Sequence, residues 1–353
     1  MIPLLKPYIS KSLPDLLNLI NSGNLMSKEL LKTLEENLNS FLKTSNIKVI
    51  SNYETAIEIS LKALDINVND EVVTSPLSCL ASTQPLLNYG LRINWCDVDK
   101  FLGVPGINEI EQAITDNTKV VIYNCFAGYA KDLDLIYDLC KKRNIYLVID
   151  CIEAFGSKFN FNYIGVKYCD LAIYNFHTVR TFNALEAGAI LSQNKQVNEK
   201  IRLMRDYGIN RVLFREKNGE IDSNFDIKTI GKGAMLGTVN SYIGIRNLQE
   251  ISTVLEKSRN NSKKWRERFE TELYSFMDTI KIPNNLEHNS WVFGLFTNDF
   301  ERSKLFFTKL GFQSSKLHYP NNLYSIFPSK KLEGVNYFYN HFLAIPSGHF
   351  FEL

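Results

Sequence analysis

Residues 147–156, which read LVIDCIEAFG, decide the fold. The apolar and aromatic run from Tyr146 to Ile149 is typical of a short buried strand, and Asp150 follows it directly. Ligands of open α/β sheets bind at the carboxyl ends of the strands, so this position favours a functional carboxylate. The alternative is that Asp150 only caps a helix or orders its loop.

Short strands of this kind alternate with helical patterns through the first two thirds of the chain. Apolar strands separated by helices predict a mostly parallel sheet that helices cover on both faces. The predicted strands are 48–50, 71–74, 93–98, 119–123, 146–149 and 171–174. The predicted helices are 13–21, 27–42, 55–64, 80–87, 107–114 and 133–142.

The pattern changes after about residue 240, which predicts two domains, 1–240 and 241–353. The second is predicted to be a smaller α+β domain with helices 249–273 and 300–309 and strands 290–297 and 312–318. Residues 210–232 form a long polar loop or hairpin, and a loop of this length is usually functional or an interface arm.

Composition excludes several classes of protein. Lys and Arg total 40 against 38 Asp and Glu, so the formal charge of +2 gives no case for binding nucleic acid or an anionic membrane. The six cysteines form no CxxC pair, which favours free thiols in a reducing compartment over a disulfide frame or a metal site. No signal peptide or membrane span is expected, and the predicted location is cytosolic.

Several segments together resemble the DegT-type nucleotide-sugar aminotransferases, which have the aspartate-aminotransferase fold. They run in the family's order from residue 2 to about residue 346, although each is weak alone. The resemblance implies a homodimer acting on a nucleotide-linked sugar in surface-polysaccharide (O-antigen) biosynthesis, with pyridoxal phosphate held by a lysine and Asp150 on the pyridine nitrogen. The resembling segments are 2–7, 70–76, 96–99, 147–156, 204–208 and 318–320.

Residues 174–188, YNFHTVRTFNALEAG, depart from the family pattern at its most important position. The resemblance aligns Arg180 with the lysine that forms the Schiff base, and a guanidinium has no free amine lone pair. Asn175 stands where the family has a phosphate-binding serine, and Glu153 stands where glutamine is common. An anion at Glu153 would oppose a phenolate oxygen on the cofactor.

The expected phosphate-binding turn departs as well. It reads Asn-Tyr-Glu-Thr-Ala over residues 52–56, so Tyr53 adds bulk where the family has glycine and Glu54 adds negative charge beside the phosphate. Cys79 takes the place of a ring-stacking aromatic residue. These departures predict a protein that holds no cofactor.

A polar set remains around the expected pocket, and we expect it to be crowded together there. It would supply acid–base chemistry or a clamp for an anionic group. The alternatives are a packing role for His177, an ion pair of Arg180 with Asp150 or Glu153, and a small buried filler at Cys79 rather than a nucleophile. The set is Asp150, Glu153, His177, Arg180 and Glu186.

Two further segments are expected to contact substrate. Arg211 and Arg215 in the long loop are predicted to reach a partner subunit's site and bind a diphosphate, or else to be solvated surface charges. His318 and Tyr319 resemble the family's substrate-side segment, with strand-end packing as the alternative.

Three interpretations follow. The first is an enzyme on the aminotransferase scaffold that has lost covalent pyridoxal-phosphate chemistry and acts on a nucleotide-linked sugar. The second is a non-catalytic subunit that pairs with an active homologue. The third is a conventional pyridoxal-phosphate-dependent aminotransferase.

Overall fold

The described residues form thirteen strands. The computed structural model describes residues 1–25, 28–272 and 274–353. The strands are β1 (Ile47–Ile50), β2 (Glu71–Thr74), β3 (Arg92–Trp95), β4 (Thr118–Asn124), β5 (Tyr146–Asp150), β6 (Lys158–Phe159), β7 (Asn162–Tyr163), β8 (Leu171–Asn175), β9 (Gly188–Leu191), β10 (Met277–Thr279), β11 (Leu286–Glu287), β12 (Val292–Thr297) and β13 (Phe342–Pro346).

Helices cover the sheets. Those with α geometry are α1 (Leu16–Asn21), α2 (Glu29–Leu42), α3 (Tyr53–Ala63), α4 (Leu80–Tyr89), α5 (Ile107–Ala113), α6 (Leu133–Lys142), α7 (Lys195–Met204), α8 (Thr238–Gln249), α9 (Ile251–Thr271), α10 (Phe300–Lys309) and α11 (Glu333–His341). No described helix is both long enough and apolar enough to cross a membrane. The cytosolic location stays a prediction.

A seven-stranded sheet lies at the centre, in the order β1-β9-β8-β5-β4-β2-β3. β3, β2, β4, β5 and β8 run parallel to one another, which confirms the predicted α/β fold with a mostly parallel sheet. β9 was not predicted and pairs antiparallel with both β8 and β1. The sheet residues are almost wholly buried, as expected for strands covered on both faces.

Gly188 fixes how closely the sheet approaches the start of α3. A Cβ atom at Gly188 would lie 2.6 Å from the carbonyl oxygen of Asn52 and 2.9 Å from Cα of Tyr53. No side chain larger than hydrogen fits there without moving backbone. The end of β9 therefore packs directly against the first turn of α3 and places Tyr53 over the sheet.

Two small sheets accompany the large one. β10, β12 and β13 form an antiparallel sheet near the C-terminus, and β11 pairs with β6 and β7. The first of these sheets packs against α9 and α10 around a separate apolar cluster that contains Trp265 and Phe307. The boundary near residue 240 stays a prediction.

Two predictions about elements need correction. The predicted strand 312–318 is wrong: it makes only isolated bridges, and Leu317 has a φ of 65°, which breaks an extended backbone. The predicted helix 249–273 starts too early. Helix α9 begins at Ile251, and the preceding Glu250 has φ and ψ of −105° and 4°, outside the helix. Ser27 and Leu273, at the ends of two predicted helices, lie outside the described residues.

Candidate active site

Three neighbouring strands of the large sheet end in polar residues at the same edge. β4 ends at Asn124, β5 at Asp150 and β8 at Asn175. Asn124 and Asp150 are paired in register, so their side chains meet. The carboxyl edge of a parallel sheet is where such folds bind ligands, and this edge is the candidate active site.

The Asp150 carboxylate is buried, with 1% of its surface exposed, and both of its oxygens accept hydrogen bonds. Oδ2 accepts from Nδ2 of Asn124 at 2.8 Å. Oδ1 accepts from the hydroxyl of Tyr53 at 2.5 Å and from the backbone N–H of Ile152 at 3.1 Å. Burial raises the pKa of Asp150 above its ordinary value, and these hydrogen bonds act against that rise.

Tyr53 is the first residue of α3, and its ring is buried. Its hydroxyl also lies 3.1 Å from the Oγ atom of Ser82. Burial, and then the charge of Asp150, raise the pKa of Tyr53 well above its ordinary value. The phenol therefore stays protonated and donates a hydrogen bond to the carboxylate.

Glu153 forms a second buried cluster beside Asp150. Its Oε1 atom accepts from Nη1 of Arg180 at 3.0 Å and lies 2.7 Å from Nε2 of His318. Its Oε2 atom accepts from the backbone N–H of Ala127 at 2.6 Å. Burial opposes ionisation, but the positive charges of His318 and Arg180 outweigh it and lower the pKa of Glu153 to about 2.

Arg180 pairs with Glu153, which was one of the two ion pairs expected for it. Its side chain is 8% exposed, and the guanidinium lies 5.1 Å from the ring centroid of Trp291, a cation–π distance. Within the part of the chain that the structure describes, its Nε atom has no hydrogen-bond partner. The Arg180 guanidinium is thus the counter-charge of the buried Glu153 carboxylate.

The five residues expected in one pocket divide into two groups. His177 and Glu186 face each other at 3.9 Å, with side chains 46% and 49% exposed, whereas Asp150, Glu153 and Arg180 are buried. The expectation of a single crowded pocket is therefore wrong for His177 and Glu186. His177 and Glu186 lie on the exposed side of the segment that follows Asn175, whereas Phe176 and Arg180 of the same segment are buried.

Three other residues expected at the site, Asn175, Glu54 and Cys79, have smaller roles. The Oδ1 atom of Asn175 accepts from the backbone N–H of His177 at 2.7 Å and so orders the turn. Glu54 is exposed; burial, and to a smaller extent the charge of Glu54, raise the pKa of Glu186. Burial raises the pKa of Cys79, which keeps it a thiol and fits the filler alternative.

The arginines of the long loop bind groups of their own chain. Arg211 forms two hydrogen bonds with the Asp206 carboxylate, at 2.6 and 2.8 Å. Nη1 of Arg215 donates to the carbonyl oxygen of Gly219 at 2.6 Å. Their predicted reach into a partner's site stays a prediction.

Tyr319 and His318 diverge although they are neighbours in the chain. Tyr319 packs its ring against Tyr324 and Tyr339, with centroid distances of 5.2 and 5.7 Å, and 45% of its surface is exposed. His318 turns inward to Glu153. Only His318 therefore joins the buried cluster.

Three residues of the site were missed from the sequence. Asn124 ends the strand next to β5, so the rule of carboxyl ends would have found it. Trp291 and Ala127 carry no such signal, because Trp291 acts through a stacking contact and Ala127 through its backbone. Ala127 is held at a φ of 52°, in the left-handed region.

Solved structures resemble the whole chain. The sugar aminotransferase CalS13 from Micromonospora echinospora matches with a TM-score of 0.90 at 20% identity, over 99% of this chain and 96% of that one. A Streptococcus pneumoniae chain, described in a PLP-form and in a PMP-form, matches with TM-scores of 0.85 and 0.86 at 19% identity. Both forms cover 98% of this chain, and 93% and 92% of their own. These likenesses show the aspartate-aminotransferase fold.

Two relatives carry named activities. GDP-perosamine synthase of Escherichia coli O157:H7 is 24% identical over 296 residues, which are 84% of this chain and 76% of the relative. The dTDP-4-amino-4,6-dideoxy-D-glucose transaminase of Shigella dysenteriae is 28% identical over 236 residues, which are 67% of this chain and 60% of the relative.

The expectation that the protein holds no cofactor is wrong on these comparisons. A relative is named a transaminase, and a solved structure with the same fold is described in PLP- and PMP-forms. The Asp150 carboxylate suits a protonated pyridine nitrogen by its charge and its place. In the arrangement described above, however, Tyr53 makes the hydrogen bond that such a ring would need, so the residues as placed do not fit a bound cofactor.

A family model decides the classification. The description of the model is the DegT/DnrJ/EryC1/StrS aminotransferase family, and it matches residues 9–333. This confirms the resemblance drawn from the sequence motifs. The chain belongs to the DegT/DnrJ/EryC1/StrS aminotransferase family.

Proposed function

We propose that the protein is a pyridoxal-phosphate-dependent aminotransferase that acts on a nucleotide-linked sugar in polysaccharide biosynthesis. Family membership supports this, as do the names of the two relatives, which refer to GDP- and dTDP-linked sugars. This conventional interpretation replaces the first one drawn from the sequence, in which the chain had lost the chemistry of its cofactor.

The observation that carries the proposal for this chain is the Glu153–His318 pair at the carboxyl edge of the sheet. Glu153 is ionised, so the ring nitrogen facing it, Nε2 of His318, carries the proton. The other ring nitrogen, Nδ1, does not contact Glu153 and is the one assigned to proton exchange. The side chain of His318 is 20% exposed, so a substrate can reach it. We assign His318 to proton exchange with the sugar and Glu153 to orienting it.

Arg180 is assigned to electrostatics. A guanidinium does not form an imine with an aldehyde, so this side chain is not the point of attachment for the cofactor. Its contact with Glu153 keeps that carboxylate ionised in a buried site. Arg180 therefore positions Glu153, which in turn positions His318.

Asp150 is assigned to the cofactor. Pyridoxal phosphate would supply the electron sink at this carboxylate, but the residues as placed do not fit it, because the Tyr53 hydroxyl occupies Oδ1 of Asp150. Asn124 and the N–H of Ile152 hold the carboxylate in place. The Tyr53 side chain must leave Asp150 before Asp150 can take this role.

We also propose a homodimer, with the long loop as part of its interface. The loop exposes apolar side chains that a monomer would leave in water, including Val212 and Ile230, each 85% exposed. Arg211 and Arg215 flank Phe214 at cation–π distances in the same loop. Burial of these apolar groups against a second copy would stabilise both subunits.

Thermal unfolding in the presence of ligands tests the substrate class. A nucleotide-linked sugar that binds the native state must raise the melting temperature. We expect dTDP- or GDP-linked keto sugars to raise it more than the free nucleotide or the free sugar does. Equal responses to the nucleotide diphosphate alone would contradict recognition of the sugar.

A further inference from the structure

A cavity of about 740 Å³ lies beside the small C-terminal sheet. The loop after β3, the end of α9 with the segment that leads into β10, the end of β12, and α11 all line it. None of the described residues in this lining is Asp150, Glu153, Arg180 or His318, so the cavity is separate from the candidate active site. Its volume is in the range of sites for small organic ligands.

Aromatic rings form most of the apolar wall of the cavity. Phe101 lies 6.0 Å from Phe296 and 5.8 Å from Tyr337, measured between ring centroids. Phe101 is 56% exposed and Tyr337 is 37% exposed, so ring surface is available to a ligand. A planar ring can stack on such a wall. The other aromatic residues of the lining are Phe269, Tyr274 and Phe276.

The loop that carries Phe101 is held in place by its own contacts. Oδ1 of Asp99 accepts from the N–H of Phe101 at 2.8 Å, and the same carboxylate pairs with Nζ of Lys131 at 2.6 Å. Gly103 has a φ of 75°, and a Cβ atom there would lie 2.4 Å from the ring of Phe338. Phe101 is therefore a preorganised wall, which lowers the entropic cost of stacking a ligand on it.

Positive charge borders these rings. Nζ of Lys100 lies 5.1 Å from the ring centroid of Phe101, and the guanidinium of Arg302 lies 4.0 Å from that of Phe276. Lys281 is exposed and belongs to the lining itself. Within the described part of the chain, none of these three cations forms an ion pair with a carboxylate. Their charge is therefore available to an anionic ligand.

One carboxylate opposes this charge. Asp278 lines the cavity, and its Oδ1 atom accepts from the backbone N–H of Thr279 at 2.7 Å. Asp278 balances Lys281 within the lining, so Lys100 and Arg302 at the border leave an excess of positive charge. The cavity thus favours an anion over a cation.

We propose that this cavity binds a nucleoside diphosphate, whose base stacks on Phe101 and whose phosphates meet the positive charge of Lys281 and Lys100. The inference goes beyond the proposed function, because it does not involve the carboxyl edge of the large sheet. Aromatic walls suit the base and cations suit the phosphates, and a nucleotide uses both. A single-ring aromatic acid has the same two features but would leave most of a 740 Å³ cavity empty.

Isothermal titration calorimetry of the full chain with ADP tests this, with adenosine and pyrophosphate as the two halves of the ligand. We expect ADP to bind more tightly than either half by about tenfold, because only ADP uses both the rings and the cations. Phe101→Ala should weaken ADP binding by about tenfold, which is within the range for one base–aromatic stack. Lys281→Glu should weaken it by a similar factor and make it less sensitive to salt.

Two exposed positions elsewhere give matched controls. Phe161→Ala removes a phenylalanine that is 99% exposed in the turn between β6 and β7, and Lys167→Glu reverses an exposed lysine. Both should leave ADP binding unchanged. All four substituted residues are exposed, so the variants should fold, and their melting temperatures check this.

The site is overturned if folded wild-type protein does not bind ADP, or if Phe101→Ala binds it as tightly as Phe161→Ala does. Amino-sugar formation is measured separately and decides the proposed function alone. If ADP binding depends on Phe101 but no amino sugar forms, the cavity is supported and the proposed function fails. If an amino sugar forms but Phe101→Ala binds ADP like wild type, the proposed function is supported and the cavity site fails.

Discussion

Nε2 of His318 lies 2.7 Å from Oε1 of Glu153, so one charged contact joins the loop after β5 to the segment that precedes α11. Glu153 is only 2% exposed in its side chain, whereas His318 is 20% exposed. The pair therefore has a buried orienting member and an accessible reacting member. A buried carboxylate that orients an accessible imidazole is an arrangement used in general acid–base catalysis.

Glu153→Gln should lower amino-sugar formation by about a hundredfold, because an amide holds neither the charge nor the tautomer of His318. His318→Gln should lower it by a similar factor. Rates with a nucleotide-linked keto sugar, measured across pH, check both. The matched control is Glu199→Gln, which removes a surface carboxylate paired with Arg202 and should leave the rate unchanged. Equal rates for Glu153→Gln and the control would contradict the assignment.

Arg180→Met should lower the free energy of unfolding by roughly 3 kcal/mol, because it leaves Glu153 buried with one cation fewer. Arg202→Met removes an exposed pair with Glu199 and should cost less than about 1 kcal/mol. Urea unfolding of both variants gives the comparison. Adding Glu153→Gln to Arg180→Met should recover part of the loss, and a purely additive double variant would argue against a coupled pair.

Stability should fall as the pH is lowered from about 6.5 to 4. His288 is buried, and its Nε2 atom donates to the carbonyl oxygen of Ala127 at 2.8 Å while its Nδ1 atom accepts from the N–H of Ser290 at 3.1 Å. Only the neutral ring makes both bonds. Burial lowers its pKa to about 4.

The unfolded chain then binds more protons than the folded chain in this range, so stability is full above about pH 6.5 and is lost towards pH 4. The shift from 6.5 corresponds to roughly 3 kcal/mol. Melting temperatures across pH should lose part of their slope in His288→Gln. His349, whose pKa burial also lowers to about 4, accounts for a further part. An unchanged slope in a variant that combines His288→Gln with His349→Gln would contradict this origin.

Cys79 should react slowly with iodoacetamide at pH 8, because its raised pKa leaves little thiolate. Cys79→Ala should retain near wild-type amino transfer, since the thiol serves only as a filler. Mass spectrometry of the alkylated protein gives the rate against a small free thiol. Modification as fast as that of the free thiol, together with loss of activity in Cys79→Ala, would show that Cys79 is a nucleophile rather than a filler.

Val212→Glu should dissociate the proposed homodimer, because it places a charge in an apolar contact. Light scattering on a sizing column measures the mass directly. The control is Val68→Glu, at a valine that is also exposed (63%) but lies outside the loop, and it should leave the mass unchanged. A monomeric wild type would contradict the homodimer.

The sequence allowed the large sheet to be predicted because its strands are continuous apolar runs and its helices have clear periodicity. β2 and α6 were predicted with their observed ends. β9 was missed because Gly188–Leu191 is short and follows a turn rich in small residues, and its antiparallel pairing has no local signal. The predicted helix 249–273 includes Gln249 and Glu250, which precede α9, because polar residues at a helix end give no signal for its exact first residue.

The site was predicted in part. Asp150 and Glu153 follow a recognisable strand, and a resemblance supplied Arg180 and His318. Their actual pairing depends on long-range packing: 165 positions separate Glu153 from His318, and no spacing rule predicts such a contact. Tyr53 was expected to fill a phosphate site, whereas the structure places its hydroxyl on Asp150.

The most direct test is to incubate the purified wild-type protein with a nucleotide-linked keto sugar, an α-amino acid and pyridoxal phosphate, and to analyse the nucleotide product by mass spectrometry. We predict the corresponding amino sugar, formed only when all three components and the protein are present. Absence of that product across dTDP-, GDP- and UDP-linked keto sugars, from folded protein, would contradict the proposed function and favour a non-catalytic partner subunit.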